Sequence, residues 1–389
     1  MAKHISVGID IGTTATRVVV GEFVRGEKFP KIIGVGFSES HGLRHGYITN
    51  IEKAAGSIRR AVNSAEKNSG VKIRKAIFSI GGVSLGSEIT YGSTIISKAD
   101  SEVTVLDVSK AITESENNLE IINKRVIHTL PVSFKLDGKE VTGRPEGMKG
   151  IKLEVKTLFV TCLEQHLEDM IAAATEAGIE VLDIIAGPLA SSLVILNSKQ
   201  KNAGCLVADI GGETVSIAVF ENNTPISLHV FSIGSTEITH DIALGLKIAL
   251  EEAESLKIGS LINSYPKKKL EQIITARLSD IFELIEGHLK KIKRSGLLPA
   301  GVLLIGGGSN MSLVENISKN ILNLPAKVIT PEMFPYSKGK IKNAGWFTVL
   351  GLSIAGRDVY GQDFSYNSFR RFIRNIKNFF KSIGNQLLP

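Results

Sequence analysis

The 389-residue chain carries 43% apolar and 22% charged residues, the composition of an ordinary globular protein, and its length suggests two or three domains. Its 46 basic and 39 acidic residues leave a net charge of +7, but five of the cations follow Asp363, where no acidic side chain balances them. Because the excess charge belongs mostly to this tail, we expect no general nucleic-acid partner.

The cysteine content and the apolar patterning restrict the cellular setting. Cys162 and Cys205 are isolated cysteines without CxxC spacing, which favours a reducing compartment and indicates no zinc site. No stretch approaches 18 apolar residues, and the first ten residues lack the layout of a signal peptide. We therefore expect a cytoplasmic protein that does not span a membrane.

The first predicted elements are three strands within residues 5–39, ISVGIDIG, TRVVVGEF and KIIGVGF, joined by glycine-rich turns. A helical pattern follows in NIEKAAGSIRRAVNSAEKNSG. Between Ser84 and about Val160 the pattern changes to short strands around one helix, DVSKAITESENNLEII, which predicts a small inserted α+β subdomain. The helix HLEDMIAAATEAG then resumes the alternation of helices and strands.

The strand triplet occurs a second time in residues 204–234, as GCLVADIG, TVSIAVF and ISLHVFSIG. A helical segment, TEITHDIALGLKIALEEAESLKIG, follows this triplet as a helix follows the first. A long amphipathic helix from Pro266 to Ser295 then precedes the apolar strand GVLLIGGG. Because the same order of elements occurs twice, the sequence predicts an internal duplication.

These patterns divide the chain into six predicted parts. They are a first lobe (1–83 with 160–195), an inserted α+β subdomain (84–159), a second lobe (196–235 with 300–356), a helical subdomain (236–299), a polar linker (357–368) and a C-terminal amphipathic helix (369–389).

The turn after the first strand of each triplet is the strongest functional signal. Each strand ends in an aspartate, Asp10 or Asp209, followed by a glycine-containing turn with threonine. Such turns present backbone N–H groups and hydroxyls to a phosphate, and the carboxylates suit a hydrated Mg²⁺. One such turn alone is also typical of an ordinary hairpin, but two in matching triplets predict a nucleotide between two lobes. The candidates are Asp10, Gly12, Thr13, Thr14 and Arg17 in the first turn, and Asp209, Gly211, Gly212 and Thr214 in the second.

Two further features fit a nucleotide site. Gly306, Gly307 and Gly308 follow a strand and precede Met311, where backbone without side chains can approach a flat base or a phosphate; a tight strand–helix turn is the structural alternative. Glu254 and Lys257 lie one helical turn apart and face the same way. They are candidates for contacting ribose and adenine, or they form an ordinary solvated ion pair.

These four features, in this order, resemble the nucleotide-binding superfamily of actin, Hsp70 and the sugar kinases. Residues 128–155, HTLPVSFKLDGKEVTGRPEGMKGIKLEV, and residues 40–70 closely resemble the FtsA family of bacterial cell-division proteins. The resemblance covers essentially the whole chain. It implies an α/β, actin-like (ribonuclease H-like) duplicated fold with a small inserted α+β subdomain and a C-terminal amphipathic helix.

The resemblance also implies ATP and Mg²⁺ as cofactors. Asp10 and Asp209 would hold the metal through water. The implied nucleotide-contacting residues are those of the two phosphate turns, with Glu254, Lys257, Gly307, Gly308 and Met311 at the adenosine.

Two positions depart from the family pattern. Glu213 replaces the third glycine of a common DIGGG turn, and its carboxylate would repel a γ-phosphate unless it points away or meets the metal. Ser216 stands where many relatives carry Asp or His to orient the attacking water, and a serine is no convincing general base at neutral pH. We therefore expect ATP binding with slow hydrolysis at most.

The C-terminal segment SFRRFIRNIKNFFKSIGNQLLP is predicted to be an amphipathic helix. At about 100° per residue, its large apolar side chains fall within roughly 120° and its cations on the opposite and flanking arc. This pattern favours a helix lying in an anionic membrane surface, over packing on the protein's own core or docking in a partner's groove. The membrane-binding candidates are Phe369, Phe372, Ile373, Ile376, Phe379, Phe380, Ile383, Arg370, Arg371, Arg374, Lys377 and Lys381.

The resemblance implies an ATP-regulated adaptor that polymerises head to tail through the insert and tethers FtsZ filaments to the inner face of the cytoplasmic membrane at the division site. Its implied partners are the FtsZ C-terminal peptide, further copies of itself, the anionic membrane surface and other division proteins. The FtsZ peptide would dock on residues 236–299, with Arg277 and Lys267–Lys269 as candidates; a solvated helix start is the alternative for the lysines.

Three alternatives compete with this interpretation. A pilus-assembly adaptor of the same superfamily shares the insert type but usually lacks the amphipathic tail. A small-molecule kinase would use the same phosphate turns, but no acidic residue in a substrate loop is evident. An Hsp70-type chaperone would need a β-rich peptide-binding domain, and only about 33 residues follow Gly356.

Overall fold

The computed structural model describes residues 4–24, 27, 29–260, 265–334, 339, 341 and 343–360. Residues 357–360 of the predicted linker continue the last helix, whereas residues 361–368 and the amphipathic tail, with every membrane-binding candidate, lie outside the described residues. Strands and helices are numbered here in chain order.

The first lobe begins with the antiparallel meander of three strands that the sequence predicts. A short hairpin, a helix and a strand parallel to the first strand follow. These elements are β1 (His4–Ile11), β2 (Ala15–Phe23), β3 (Lys31–Glu39), β4 (Leu43–Arg44), β5 (Tyr47–Ile48), α1 (Ile51–Ser69) and β6 (Lys75–Ile80). Asn50 caps α1 by accepting from the backbone N–H of Lys53, and Gly70 ends it in the left-handed conformation.

The insert forms its own four-stranded antiparallel sheet with one helix against it, as predicted. Its elements are β7 (Gly86–Ile95), α2 (Val105–Asn117), β8 (Lys124–Leu136), β9 (Lys139–Val141) and β10 (Lys152–Leu163). Thr104 and Asp107 form a reciprocal capping box at the start of α2. Gly92 lets the helix lie directly on β7, because a Cβ there would come within 2.1 Å of the Ala111 carbonyl oxygen.

The rest of the described chain completes the first lobe and builds the second. Its strands are β11 (Glu180–Ala186), β12 (Cys205–Ile210), β13 (Val215–Glu221), β14 (Thr224–Phe231), β15 (Val302–Ile305) and β16 (Ala326–Val328). Its helices are α3 (Glu164–Glu176), α4 (Gly187–Ile195), α5 (Ser198–Ala203), α6 (Ser235–Leu246), α7 (Leu250–Lys257), α8 (Lys267–Lys291), α9 (Val314–Leu322) and α10 (Phe347–Tyr360). The long helix predicted after Pro266 is confirmed as α8.

The two large sheets have the same topology. Their strand orders are β3-β2-β1-β6-β11 and β14-β13-β12-β15-β16, with an antiparallel triplet followed by two parallel strands in each. The equivalence extends to register, because Asp10 lies opposite Arg17 in the first sheet and Asp209 opposite Ser216 in the second. The predicted internal duplication is therefore confirmed.

Helices α4 and α10 pack against each other between the two sheets. Gly351 of α10 makes this possible, since a Cβ there would lie 1.9 Å from the Ala190 carbonyl oxygen of α4. α10, although it follows the second sheet in the chain, packs on β1, where Gly8 leaves room for it. One apolar core consequently includes buried side chains of both sheets and both helices.

The insert docks on the edge of the second sheet through both apolar and polar contacts. The Ser87 side chain donates to the Leu228 carbonyl at 3.0 Å and accepts from the Leu228 N–H at 2.7 Å. One small core cluster belongs to the insert alone, whereas Leu130 and Leu158 of its sheet pack into the core that the lobes share. Cys162 and Cys205 are both buried free thiols, and burial raises the pKa of each to about 12.

Candidate functional site at the cleft between the lobes

The two aspartates at the strand ends, Asp10 and Asp209, lie in one pocket between the lobes. Asp10 comes from β1 and Asp209 from β12, and both line the same cleft. The equivalent strands of the duplicated sheets therefore bring their aspartates to the same cleft. This is the arrangement on which the sequence interpretation depended.

Burial dominates the electrostatics of this acid pair. Desolvation and repulsion from the nearby Asp10 carboxylate raise the pKa of Asp209 to about 6. Desolvation also raises the pKa of Asp10. The Ser79 hydroxyl donates to Asp10 at 2.5 Å, and the Thr348 hydroxyl donates to Asp209 at 3.1 Å. Two carboxylates that line one pocket, each with a raised pKa, make a favourable place for a cation.

The described residues contain no group of three or more His, Cys, Asp and Glu side chains that could hold a metal. A cation at the acid pair would therefore complete its shell with water and ligand oxygens. Mg²⁺ commonly binds in this way, through one or two carboxylates, several waters and substrate phosphates. The donor set fits the predicted Mg²⁺.

The two phosphate turns have matching backbone geometry and face each other. The Gly12 N–H donates to the Ala15 carbonyl at 3.1 Å, and the Gly211 N–H donates to the Thr214 carbonyl at 2.9 Å. A Cβ on Gly212 would lie 2.4 Å from the Thr14 methyl group, so glycine is needed for this approach. The turns thus form a narrow, side-chain-poor passage suited to a phosphate chain.

The pocket brings together most of the predicted binding residues. The lining includes Asp10, Gly12, Thr13, Thr14, Arg17, Asp209, Gly211, Gly212, Thr214 and Gly307. Gly308, Met311, Glu254 and Lys257 lie outside this lining. Gly308 packs on Ile210 and Ser235, and Met311 contacts the core of the second lobe.

The Glu254–Lys257 pair forms part of the wall behind the pocket. The Lys257 side chain is only 8% exposed, and its Nζ lies 2.7 Å from Glu254 Oε2. The same Nζ donates to the Ser235 carbonyl at 3.0 Å and to the Thr239 hydroxyl at 2.8 Å. Because Ser235 lines the pocket, this pair is no ordinary solvated ion pair.

Several lining residues were missed by the sequence interpretation. They come from the carboxyl ends of β6 and β11 and from the start of α10, and include Ser79, Gly81, Gly82, Gly187, Pro188 and Thr348. The glycines after FSI and DIIA were an available signal, because ligands of α/β sheets bind at the carboxyl ends of parallel strands. Thr348 had no local signal, since only the packing of α10 brings it to Asp209.

Glu213 points away from the pocket toward the first lobe. Its Oε2 accepts from the His45 backbone N–H at 2.5 Å, and its carbonyl oxygen lies 3.3 Å from His45 Nδ1. The carboxylate is therefore occupied by a contact between the lobes at the rim of the cleft. Ser216 does line the pocket, opposite Asp209 in the sheet.

The helical subdomain holds Arg277 in ion pairs. Its guanidinium donates to both carboxylate oxygens of Asp241, at 2.7 and 3.1 Å, and lies 3.2 Å from Asp280. The Arg277 side chain is 29% exposed, whereas that of Lys267 at the start of α8 is 88% exposed. Arg277 is therefore accessible but already paired.

Comparison with known proteins places the chain in a family. Residues 206–351 match the family described as Cell division protein FtsA, and residues 82–161 match the SHS2 domain inserted in FTSA. The chain is 32% identical to Cell division protein FtsA of Bacillus subtilis (strain 168) over 351 residues, 85% of this chain and 79% of that protein. The chain belongs to the FtsA family. It is also 29% identical to FtsA of Pseudomonas aeruginosa over 90% of this chain and 88% of that protein.

Solved structures confirm the actin-like fold of this FtsA-family chain. It is similar to a chain of the PilM-PilN type IV pilus biogenesis complex, with a TM-score of 0.67, 17% identity and coverage of 90% of this chain and 98% of that chain. It is also similar to MreB5 of Spiroplasma citri bound to ADP, with a TM-score of 0.53, 12% identity and coverage of 92% and 99%.

Proposed function

We propose that this chain is an ATP-binding, actin-like cell-division protein that polymerises and tethers FtsZ filaments to the inner face of the cytoplasmic membrane. The observation that carries the proposal is the meeting of Asp10 and Asp209 in one pocket, between two glycine turns of matching geometry. Membership of the FtsA family supplies the division role.

ATP with Mg²⁺ fits the cleft best. The backbone of the two turns would hold the phosphates, Asp10 and Asp209 would hold Mg²⁺ through water, and Gly306 and Gly307 would lie against the adenosine. The similar MreB5 of Spiroplasma citri was solved with ADP and with AMPPNP, which supports an adenine nucleotide as the ligand class. Ser216 supplies no strong base, so we expect steady-state hydrolysis below about 1 s⁻¹.

The nucleotide proposal is tested by substitution of Asp209. We expect Asp209→Ala to weaken Mg–ATP binding by about tenfold or more, because one of the two carboxylates facing the metal is lost. Asp100→Ala, on the exposed surface of the insert, is the matched control and should bind like the unmodified chain. Calorimetric titration with Mg–ATP measures both, and equal affinity of the two variants would contradict the assignment of Asp209.

The FtsZ partner is proposed to dock on the helical subdomain near Arg277. An acidic peptide would take the place of the Asp241 or Asp280 carboxylate at this partly exposed guanidinium. We expect Arg277→Ala to weaken binding of a synthetic FtsZ C-terminal peptide by about fivefold or more. Arg294→Ala is a close control, since Arg294 is similarly exposed and similarly paired, with Glu221. Fluorescence anisotropy measures both, and equal losses would reject this docking site.

The insert is proposed to mediate polymerisation. Three apolar side chains at alternate positions of β7 share one face of the strand and are exposed: Ile89 at 37%, Tyr91 at 65% and Ile95 at 63%. Exposed apolar clusters of this kind are typical of contact surfaces.

We further propose a peripheral location at the division site, with other division proteins as partners. None of the described helices is both long and apolar enough to cross a bilayer.

A further inference from the structure

Arg17 lies in a row of side chains that crosses the first sheet. The register places Asp10, Arg17 and Phe37 opposite one another on β1, β2 and β3. The equivalent row of the second sheet contains Asp209, Ser216 and Val230, so the duplication does not repeat the cation. Arg17 is therefore a feature of the first lobe alone, beside a pocket that both lobes form.

The guanidinium of Arg17 contacts the segment by which the chain returns from the second lobe to the first. Its Cζ lies 5.9 Å from the ring centroids of both Phe37 and Trp346. Gly345 allows this approach, because a Cβ there would lie 3.1 Å from Arg17 Nη2. Both contacts are within the range of cation–π attraction.

This crossover segment, residues 343–346, joins the lobes physically. The Ala344 carbonyl accepts from the Gly306 N–H of the second lobe at 3.4 Å, and α10 begins one residue after Trp346 and packs on β1. Thr348, in the first turn of α10, donates to Asp209. Arg17 thus contacts the chain at the point where both lobes and the acid pair come together.

The chemistry of the contact favours arginine over other cations. Trp346 is 8% exposed, and Arg17 Nε is buried without a hydrogen-bond partner, so the guanidinium is held largely by ring faces and by the nearby carboxylates. A planar guanidinium stacks on aromatic rings and tolerates this loss of water, whereas an ammonium is a compact, strongly hydrated charge. An arginine that served only as a positive point charge near phosphate would be replaceable by lysine.

We propose that Arg17 is a positioning residue that fixes the crossover segment to the first lobe and thereby limits opening of the cleft. The inference rests on the proposed function in so far as the cleft holds a nucleotide. Release of the nucleotide requires the lobes to separate at the crossover segment. We therefore expect nucleotide dissociation to be slow. The competing role, a direct phosphate contact, predicts a different response to lysine.

The contact between Arg17 and the crossover segment can be tested without nucleotide, because Trp346 is the single tryptophan of the sequence. We expect acrylamide quenching of Trp346 in the full chain to rise at least about twofold in both Arg17→Met and Arg17→Lys. The control Arg125→Met, whose side chain is 62% exposed on the insert, should leave it unchanged. Unchanged quenching in a folded Arg17→Met protein would overturn the proposal. If that variant fails to fold, Phe37→Leu decides in its place, with raised quenching expected and unchanged quenching overturning it.

The rate of nucleotide release is measured by stopped-flow displacement of fluorescent mant-ATP. We expect Arg17→Met and Arg17→Lys to release mant-ATP about tenfold faster than the unmodified chain does. Slow release that is lost in Arg17→Met but retained in Arg17→Lys would show that a positive charge alone suffices and would overturn the proposal. If the unmodified chain binds no mant-ATP, the proposed nucleotide function fails. The quenching result still decides whether Arg17 fixes the crossover segment.

Discussion

At the scale of single residues, the role of a charged side chain in this site depends on the groups that it contacts. Glu213 would oppose a phosphate if it faced the pocket, but the His45 N–H takes up its carboxylate on the other lobe. Lys257 belongs to a pair that usually is solvated, yet here it is buried against Ser235 and Thr239. In both positions the residue type was readable from the sequence, and its direction was not.

Two half-buried histidines form a polar contact between β14 and α8. The rings of His229 and His288 stack with centroids 4.9 Å apart, and the Ser227 hydroxyl lies 2.8 Å from His288 Nε2. Burial, the neighbouring His229 and Lys291 lower the pKa of His288 to about 4, and burial also lowers the pKa of His229. Both rings are therefore neutral at physiological pH.

This pair predicts acid sensitivity of folding. Between about pH 6.5 and pH 4 the unfolded chain binds protons that the folded chain cannot, so the free energy of unfolding should fall as the pH falls through this window. The loss should be smaller in His288→Gln than in the unmodified chain. His240→Gln, at an exposed histidine, should keep the full loss. Urea unfolding at pH 7 and pH 5 measures the difference, and identical pH dependence in all three proteins would refute this account.

At the scale of secondary-structure elements, glycine decides how closely backbones approach. α10 crosses α4 at Gly351, where no side chain fits between the helices, whereas Gly287 of α8 has open space at its Cβ position. Both are glycines inside helices, and sequence alone assigns each the same propensity cost. The packing around them makes their roles opposite.

These two glycines give a matched pair of substitutions. We expect Gly351→Ala to reduce the free energy of unfolding by about 1–3 kcal/mol or more, because its Cβ would collide with the backbone of Ala190. We expect Gly287→Ala to increase it by about 0.5–1 kcal/mol through better helix propensity. Urea denaturation measures both, and effects of the same sign would contradict the packing described here.

At the scale of the whole molecule, the lobes are joined by a common core, and a separate function is proposed for the predicted tail. Buried side chains of both sheets pack with α4 and α10, so the cleft has a shared floor. The tail, outside the described residues, is proposed to lie in an anionic membrane surface. Each cation near such a surface contributes about 1 kcal/mol, and polymerisation of the body would multiply the tails.

The tail proposal predicts that vesicle binding depends on residues 366–389. The full chain should co-sediment with vesicles containing anionic lipid, and deletion of these residues should leave most of the protein in the supernatant. Phe372→Glu with Phe379→Glu should act like the deletion. Leu284→Glu with Leu297→Glu, at two exposed leucines of the body, is the control for added charge and should still co-sediment. Co-sedimentation that survives the deletion would exclude the tail as the anchor.

The sequence by itself determined the duplication, the inserted subdomain and the identity of the two acidic corners, because strand periodicity, turn glycines and motif spacing are local properties of the chain. Only the tertiary structure decided that Asp10 and Asp209 share a pocket, that Thr348 reaches Asp209 and that Arg17 contacts Trp346. These contacts join residues that are far apart in the chain, and they depend on how α4 and α10 pack between the sheets. Close packing of that kind is set by the shape of the assembled elements, which no single segment of sequence contains.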